Sequence, residues 1–270
     1  MEFSGKVALV TGGTRGIGLE ISRRLAQQGA DLILVFKKDV ENANKAKAEF
    51  EALGRRVQLV GSDLRRSAGV DALFEQVASG LDQIDILVLN AAFGTMGEVL
   101  RMGRASWRAS YDTNVLSPML TARAALPWLK KNGGVILATS TLGAHTAYPT
   151  YVAIGSSKAA METMVRYMAF EWAKYGIRAN SVAAGPVETR AIDWFRDGDA
   201  VRIFTAKKGL AGRMGLPGDI AEVALFLCSD QSRWIWGQSL LAEGGILTGV
   251  DYDDWMEENV DRSEFNPGAE

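Results

Sequence analysis

Short apolar runs alternate with amphipathic helical patterns along most of this chain of 270 residues. Runs of this kind, bounded by turn residues, are typical of buried strands, and each helical pattern lies between two of them. Strands are predicted at residues 7–10, 32–36, 57–60, 84–89, 135–138 and 179–182. Helices are predicted at residues 16–28, 40–53, 68–78, 107–130 and 151–174. This alternation predicts an α/β fold, with a parallel sheet covered by helices on both faces.

A single domain is expected, because no repeat, low-complexity linker or shift of composition marks a boundary. A chain with 47% hydrophobic residues can bury one large core, and single α/β domains often reach ~250 residues. We therefore assign residues 1–250 to one domain. Residues 189–215 form a long, aromatic-rich connection in which no strand is predicted. Residues 251–270 are predicted to form an acidic C-terminal tail.

Composition excludes several classes of function. A net charge of -2 argues against a nucleic-acid or anionic-membrane partner. One cysteine cannot form a disulfide within the chain, and one histidine with one cysteine cannot build a usual zinc site, so no metal is predicted. No apolar run reaches ~18 residues, and the N-terminus lacks the pattern of a signal peptide. A cytoplasmic protein is expected.

Residues 11–18, here called the phosphate loop, lie between the first predicted strand and the first predicted helix. Glycines at three positions let the backbone approach a pyrophosphate, and the helix N-terminus offers free N–H groups. The spacing Gly-x-x-x-Gly-x-Gly differs from the usual Gly-x-Gly-x-x-Gly fingerprint, but its place in the chain predicts a Rossmann-like, doubly wound nucleotide-binding fold. The expected contacts are Gly12, Thr14, Arg15, Gly16, Ile17 and Gly18.

The end of the second strand indicates which dinucleotide is bound. Sites for NAD usually carry an acid here, which binds the ribose hydroxyls of the adenosine. This chain has Lys37 and Lys38 instead, and Arg15 of the phosphate loop can join them around a 2′-phosphate. The alternative is that both lysines are solvated and Asp39 takes the place of the acid. We favour NADPH.

Three further loops follow predicted strands at the edge where ligands bind in such sheets. The carboxylate in the first loop can accept a hydrogen bond from the adenine amino group, and the second loop has small side chains suited to lie beside the cofactor. The third loop can fix the nicotinamide carboxamide. The predicted contacts are Asp63, Leu64, Asn90, Ala91, Ala92, Gly185, Pro186, Val187 and Thr189.

Tyr151 and Lys158 lie seven positions apart at the start of the predicted helix 151–174. The commoner Tyr-x-x-x-Lys spacing would need tyrosine at 154, where Ile154 stands. The phenol is therefore displaced by about one helical turn, roughly 5 Å, toward the helix N-terminus. A displaced proton donor suggests a different acceptor, a conjugated alkene rather than a simple ketone.

Over residues 5–249 the chain resembles the short-chain dehydrogenase/reductases. The resemblance covers the phosphate loop, the Asn-Ala-Ala after the fourth strand, Asn114, Ser140 and Lys158. It is more similar still to the FabL type of enoyl-acyl-carrier-protein reductase. Shared with that type are Ser-x-Leu-Gly at residues 140–143, the Tyr-x6-Lys pair and Ala-Gly-Arg-Met at residues 211–214. Leu89 departs from the family's usual Asn, and the acidic tail extends past the usual end.

The resemblance implies reduction of an α,β-unsaturated (enoyl) thioester carried on acyl carrier protein or coenzyme A. It implies that Tyr151 binds the thioester oxygen, that Lys158 binds the nicotinamide ribose, and that Asn114 supports a proton relay. Ser140 matches the family's active-site serine, although the displaced tyrosine leaves its role open. It also implies a homodimer or homotetramer. Residues 189–215 would then form a lid over the acyl chain.

Other readings stay open. The pathway can be fatty-acid synthesis or a specialised one with an unusual, even cyclic, enoyl group. A carbonyl (3-ketoacyl) reductase or alcohol dehydrogenase of the same fold is the first alternative, and Ile154 argues against it. A non-catalytic NADPH-sensing protein is the second, and the Tyr151–Lys158 pair argues against that. Tyr148 is a second phenol that either contacts the acyl group or is a plain loop aromatic, and His145 is expected to be a loop residue.

Overall fold

Seven strands form one parallel sheet in the computed structural model, which describes residues 1–195 and 197–249. They are β1 (Val7–Thr11), β2 (Asp31–Phe36), β3 (Val57–Gly61), β4 (Ile86–Leu89), β5 (Val135–Thr141), β6 (Arg178–Ala184) and β7 (Ser239–Ala242). Their order across the sheet is β3-β2-β1-β4-β5-β6-β7. The chain reverses its direction of winding between β1 and β4. In open parallel sheets, ligands bind at the carboxyl ends of the strands near such a point.

Eight α-helices are found in the described part of the chain. They are α1 (Gly16–Gln27), α2 (Val40–Ala52), α3 (Ser67–Ser79), α4 (Arg104–Tyr111), α5 (Ser117–Asn132), α6 (Val152–Trp172), α7 (Gly198–Lys208) and α8 (Pro217–Cys228). Helices α3, α5 and α6 pack on one face of the sheet, and α1, α2 and α8 pack on the other.

Burial on both faces explains why the strands are continuous apolar runs. Every residue of β1 is buried, and its side chains alternate between the two cores. Val7 and Leu9 join the core under α3, α5 and α6, whereas Ala8 and Val10 join the core under α1, α2 and α8. A strand with polar residues at every second position could not fill both cores.

The predicted α/β, doubly wound fold is confirmed, and so are the six predicted strands, with small shifts at their ends. β7, α7 and α8 were not predicted. The continuous helix predicted over residues 107–130 is wrong, because a π-helical turn, Asp112–Leu116, separates α4 from α5. The described residues of 189–215 (189–195 and 197–215) form no strand, as expected, but they contain a 3₁₀ turn (Arg190–Trp194) and α7.

The domain limits stay a prediction, and the proposed tail at residues 251–270 lies outside the described residues. None of the helices described in residues 1–195 and 197–249 has the length and apolarity needed to cross a membrane.

Candidate active site

The phosphate loop is shaped by glycines that no other residue could replace without strain. Gly12 and Gly16 have φ angles of +66° and +54°, which disfavour side chains. A Cβ atom on Gly18 would lie 2.3 Å from both Asn90 Nδ2 and the Gly12 carbonyl oxygen. The start of α1 therefore lies directly against the loop, and its backbone is open to a phosphate group. This cradle fits the pyrophosphate of a dinucleotide.

Asn90, predicted to bind the cofactor, has its side chain committed to holding the loop in place. Its Nδ2 donates to the carbonyl oxygens of Thr11 at 3.0 Å and Gly12 at 3.2 Å. Its Oδ1 accepts a hydrogen bond from Thr139 Oγ1 at 3.3 Å. Asn90 thus joins β1, β4 and β5 at their carboxyl ends, and the small Ala91 and Ala92 come directly after it.

Asp39, the acid that follows the end of β2, is engaged by protein groups. Asp39 caps α2, accepting from Asn42 N at 3.2 Å and Asn42 Nδ2 at 2.7 Å. These hydrogen bonds, with a smaller contribution from the positive charge of Arg15, lower the pKa of Asp39. The alternative role for Asp39, as the acid that selects NAD, therefore competes with a structural role at a helix N-terminus.

Asp63, predicted to meet the adenine, forms ion pairs in this structure. Arg65 binds its two carboxylate oxygens at 2.9 and 2.7 Å, and Lys37 Nζ lies 2.9 Å from Oδ2. The hydrogen bonds from Arg65 and Lys37 hold the pKa of Asp63 well below its usual range. Lys38 is exposed beside them. The adenosine end of the predicted site thus has several exposed cations and a carboxylate that is already paired.

The loop after β6 is fixed at its base and reaches the phosphate loop. Gly185 N donates to Ala242 O at 2.9 Å, and the Pro186 and Gly215 backbones pair at 3.0 Å. A Cβ atom on Gly16 would lie 3.7 Å from Thr189 Cγ2. Val187, Thr189 and the start of residues 189–215 therefore approach the predicted pyrophosphate site.

Tyr151 is the N-cap residue of α6, half-buried among other aromatic rings. Its ring stacks on Phe195, with centroids 5.9 Å apart and planes at 16°. Its hydroxyl lies 3.5 Å from Thr141 Oγ1, and burial raises the pKa of the phenol. A phenol held in its protonated form can donate a hydrogen bond at neutral pH.

Lys158 lies seven residues further along, on the second turn of α6, and only 4% of it is exposed. Its ammonium donates to the carbonyl oxygen of Thr139 at 2.6 Å. Burial lowers the pKa of Lys158 to about 8, partly opposed by the negative charge of Glu162. Glu162 in turn lies 3.1 Å from Nε2 of His145, so the only histidine of the chain has a structural partner.

The structure brings Thr141, rather than the predicted Ser140, to the phenol. Neighbouring residues of a strand point to opposite faces, so only one of the two hydroxyls can lie next to Tyr151. Thr141 Oγ1 does so. Ser140 Oγ is buried and has no hydrogen-bond partner in the described residues. This geometry assigns Thr141, which was not predicted, to the contact with the phenol, and the catalytic role of Ser140 stays a prediction.

Asn114 lies in the π-helical turn between α4 and α5 and is completely buried. Its Oδ1 accepts from Phe93 N at 3.0 Å, and its Nδ2 donates to Phe93 O at 2.8 Å and Ser157 Oγ at 2.9 Å. The side chain therefore ties the loop after β4 to α6, beside Lys158. It positions the site, and the relay role predicted for it is untested.

Ile154 fills the position that would carry the phenol in a Tyr-x-x-x-Lys arrangement. A Cβ atom on Gly94 would lie 2.1 Å from Ile154 Cγ1, so this side chain packs directly on the loop after β4. Only 8% of Ile154 is exposed. The position has become part of the wall of the site and offers no proton donor.

Comparison with known proteins agrees with this arrangement. The profile of a protein family described as "Enoyl-(Acyl carrier protein) reductase" matches residues 12–247. The chain belongs to the short-chain dehydrogenase/reductase family. A nicotinamide cofactor site at the carboxyl edge of the sheet is therefore consistent with both the family and the glycine cradle.

Relatives of this chain are named for differing activities. It is 36% identical over 246 residues to the 1-cyclohexenylcarbonyl-CoA reductase of Streptomyces collinus, covering 89% of this chain and 86% of the relative. A 7α-hydroxysteroid dehydrogenase solved with NADH and 7-oxo glycochenodeoxycholic acid is 33% identical, with a TM-score of 0.86 and coverage of 90% and 95%. A short-chain dehydrogenase of Burkholderia cenocepacia solved with NADP is 30% identical, with a TM-score of 0.84 and coverage of 92% and 100%.

Proposed function

We propose that the protein reduces the carbon–carbon double bond of an α,β-unsaturated thioester, using NADPH. The observation that carries this proposal is the position of the phenol. Tyr151 caps α6 beside Thr141, while Ile154 is packed into the wall of the site. The relative named as a 1-cyclohexenylcarbonyl-CoA reductase supports a thioester substrate, and it makes a cyclic acyl group the first to test.

NADPH would be held by backbone groups of the phosphate loop and by the exposed cations at the end of β2. Arg15, Lys37 and Lys38 would bind the 2′-phosphate, and Asp39 is occupied as a helix cap. Binding of a phosphate would add a partner for Lys37 besides Asp63. The proposed nicotinamide side comprises Lys158, Thr189 and the backbone of the loop after β6.

When bound, NADPH supplies a hydride to the β-carbon of the substrate. Negative charge then develops on the oxygen of the thioester carbonyl group, whose carbon lies two positions from the β-carbon. Tyr151 donates a hydrogen bond from its hydroxyl to that oxygen, and Thr141 Oγ1 lies close enough to orient the phenol. A donor aimed at the developing charge lowers the barrier because it interacts more strongly with the transition state than with the substrate.

Lys158 would supply positive potential to the site and bind the nicotinamide ribose. Its ammonium is buried and directed by the Thr139 carbonyl, so its charge is screened little by water. Asn114 holds the loop that carries Phe93 against α6. Phe195, stacked on Tyr151, brings residues 189–215 over the phenol and would exclude water there.

A homodimer or homotetramer is also part of the proposal. The outer face of α6 has large exposed side chains, with 63% of Tyr167 and 84% of Phe170 accessible. Apolar side chains of this size on one helix support burial against a second copy. Acyl carrier protein and coenzyme A are both retained as carriers of the substrate.

Reduction of a carbonyl group is the second candidate, because one relative is a hydroxysteroid dehydrogenase. The two reactions place the oxygen differently. A ketone receives the hydride on the carbon that bears the oxygen, so its donor must lie beside that carbon. The enoyl thioester needs a donor further along the substrate, as the displaced Tyr151 provides.

Replacing Tyr151 with phenylalanine tests the role of the phenol. We expect Tyr151→Phe to lower kcat for enoyl thioesters by ~10²-fold or more, the usual effect of losing one oxyanion donor. The Kd for NADPH, measured by fluorescence titration, should stay within about two-fold, because the ring and its stacking on Phe195 remain.

Tyr175→Phe is the matched control, since it removes an exposed phenol that lies just after the same helix, and its kcat should equal that of the parent. Turnover by Tyr151→Phe within a few-fold of the parent would assign the donor to another residue.

A further inference from the structure

Tyr148 and Tyr151 are the two ends of a single tight turn. Tyr151 N donates to Tyr148 O at 3.2 Å, which closes a four-residue β-turn. Pro149 is the second residue, and Thr150 is the third, with a φ angle of +63°. Proline followed by a positive φ is the pattern of a type II turn, whose third residue is usually glycine or asparagine.

Threonine at the third position is strained, because β-branched side chains strongly disfavour positive φ. The strain is held in place from outside the turn, since Gly97 N donates to Thr150 O at 2.8 Å. Strained backbone of this kind persists where the surrounding structure over-determines it, and such sites cluster near functional groups. In this chain the strained residue lies between two phenols.

The ring of Tyr148 packs against the ring of Tyr151. The two rings meet edge to face, with centroids 6.3 Å apart and planes at 80°. Tyr148 Oη is buried and has no hydrogen-bond partner among residues 1–195 and 197–249. A buried hydroxyl without a partner is costly, so a ligand oxygen at this place would be favoured.

The surroundings of Tyr148 keep its proton on the phenol. Burial, with a smaller contribution from the negative charge of Glu243, raises the pKa of Tyr148. Glu243 is fixed after β7, because its carboxylate accepts from Gly245 N at 3.2 Å and Leu247 N at 3.0 Å. Tyr148 is therefore a hydrogen-bond donor in need of an acceptor.

We propose that Tyr148 is a second catalytic phenol, which donates a hydrogen bond to the same thioester oxygen as Tyr151. This proposal rests on the proposed function, because it takes the enoyl thioester as the ligand. The turn at residues 148–151 sets the two aromatic rings side by side, and the hydrogen bond from Gly97 N to Thr150 O holds that turn in place. The developing negative charge is then bound by two phenols rather than one.

Kinetics of Tyr148→Phe with crotonyl-CoA and 1-cyclohexenylcarbonyl-CoA test the proposal, with Tyr175→Phe as control. We expect kcat to fall about ten-fold or more, with the KM for NADPH unchanged. Thermal unfolding should show a Tm within about 2 °C of the parent, because phenylalanine keeps the ring contact with Tyr151. Tyr175→Phe should match the parent in both measurements.

A binding measurement gives a readout independent of turnover. Calorimetry with the saturated thioester cyclohexanecarbonyl-CoA, in the presence of NADP⁺, should show a Kd about three- to ten-fold weaker for Tyr148→Phe, the loss expected for one hydrogen bond. If the parent reduces the enoyl thioesters and Tyr148→Phe has a Kd and a kcat within two-fold of the parent, the proposed role of Tyr148 is overturned and the proposed function stands. A parent without enoyl turnover would overturn the proposed function, and the role of Tyr148 with it.

Discussion

Two tight turns at the carboxyl edge of the sheet have their positive φ angles at different kinds of residue. The phosphate loop after β1 has its positive φ angles at Gly12 and Gly16. The turn at residues 148–151 has its positive φ at Thr150. The first turn exposes backbone N–H groups, for which any side chain would be an obstacle. The second turn presents side chains, and its backbone serves only to fix where Tyr148 and Tyr151 lie.

Under the proposed function, this difference separates the groups that bind the cofactor from the groups that select the reaction. Backbone N–H groups at a helix N-terminus recognise phosphate whatever reaction follows. Side chains on a neighbouring turn can change position without disturbing that backbone. Relatives of this chain are named as a 1-cyclohexenylcarbonyl-CoA reductase and as a 7α-hydroxysteroid dehydrogenase.

The largest effect on the cofactor side is expected from Gly18→Ala. The added Cβ would lie 2.3 Å from Asn90 Nδ2 and from Gly12 O, so the backbone must shift. We expect a loss of at least ~3 kcal/mol in the free energy of unfolding. Thermal unfolding should show a Tm lower by about 6–12 °C, and NADPH should no longer stabilise the variant.

Gly218→Ala is the control, because Gly218 lies in the first turn of α8 without a positive φ angle, and the atom nearest to its Cβ position is Arg24 Nη2 at 3.6 Å. Its Tm should remain close to that of the parent. If Gly18→Ala melted with the parent and bound NADPH normally, the close contact between α1 and Asn90 would not be needed for the cofactor site.

A smaller effect, confined to one cofactor, is expected from the double variant Lys37→Ala/Lys38→Ala. Contacts from these exposed lysines to a 2′-phosphate are partly screened, so we expect the Kd for NADPH to rise about ten-fold or more. The Kd for NADH should change by less than about two-fold, because NADH lacks this phosphate. Fluorescence titration with both cofactors measures the ratio.

The matched control is Lys45→Ala/Lys47→Ala, which removes the same charge from α2. The ratio of the Kd for NADPH to the Kd for NADH should rise in the Lys37→Ala/Lys38→Ala variant and stay unchanged in this control. That result would support a 2′-phosphate site. Equal affinities of the parent for NADPH and NADH would assign Lys37 and Lys38 to the solvated surface.

Most of the sheet could be predicted because its strands are apolar on both faces. β7 was not predicted because the strand has only four residues and none of them is fully buried. The break between α4 and α5 was missed because the apolar pattern continues through it, although Pro118, at the first turn of α5, was an available signal.

The site was predictable only to the level of its motifs. Tyr151 and Lys158 were found from their spacing, but the choice between Ser140 and Thr141 depends on which face of β5 each residue occupies. The stacking of Phe195 on Tyr151 joins segments that are distant in the sequence, so no local pattern specifies it. Tyr148 lies only three residues from Tyr151, and its role was left open because the sequence does not show how the turn packs the two rings.

Under the proposed function, the displaced phenol of Tyr151 selects an enoyl thioester over a ketone. The most direct test of this selection is the kcat/KM of the parent protein for crotonyl-CoA and 1-cyclohexenylcarbonyl-CoA against that for acetoacetyl-CoA, with NADPH oxidation followed at 340 nm, the usual absorbance. We predict that an enoyl thioester is reduced with a kcat/KM at least ~10-fold higher than the ketone, a difference of about 1.4 kcal/mol in transition-state stabilisation. Reduction of the ketone without measurable reduction of either enoyl thioester would contradict the account.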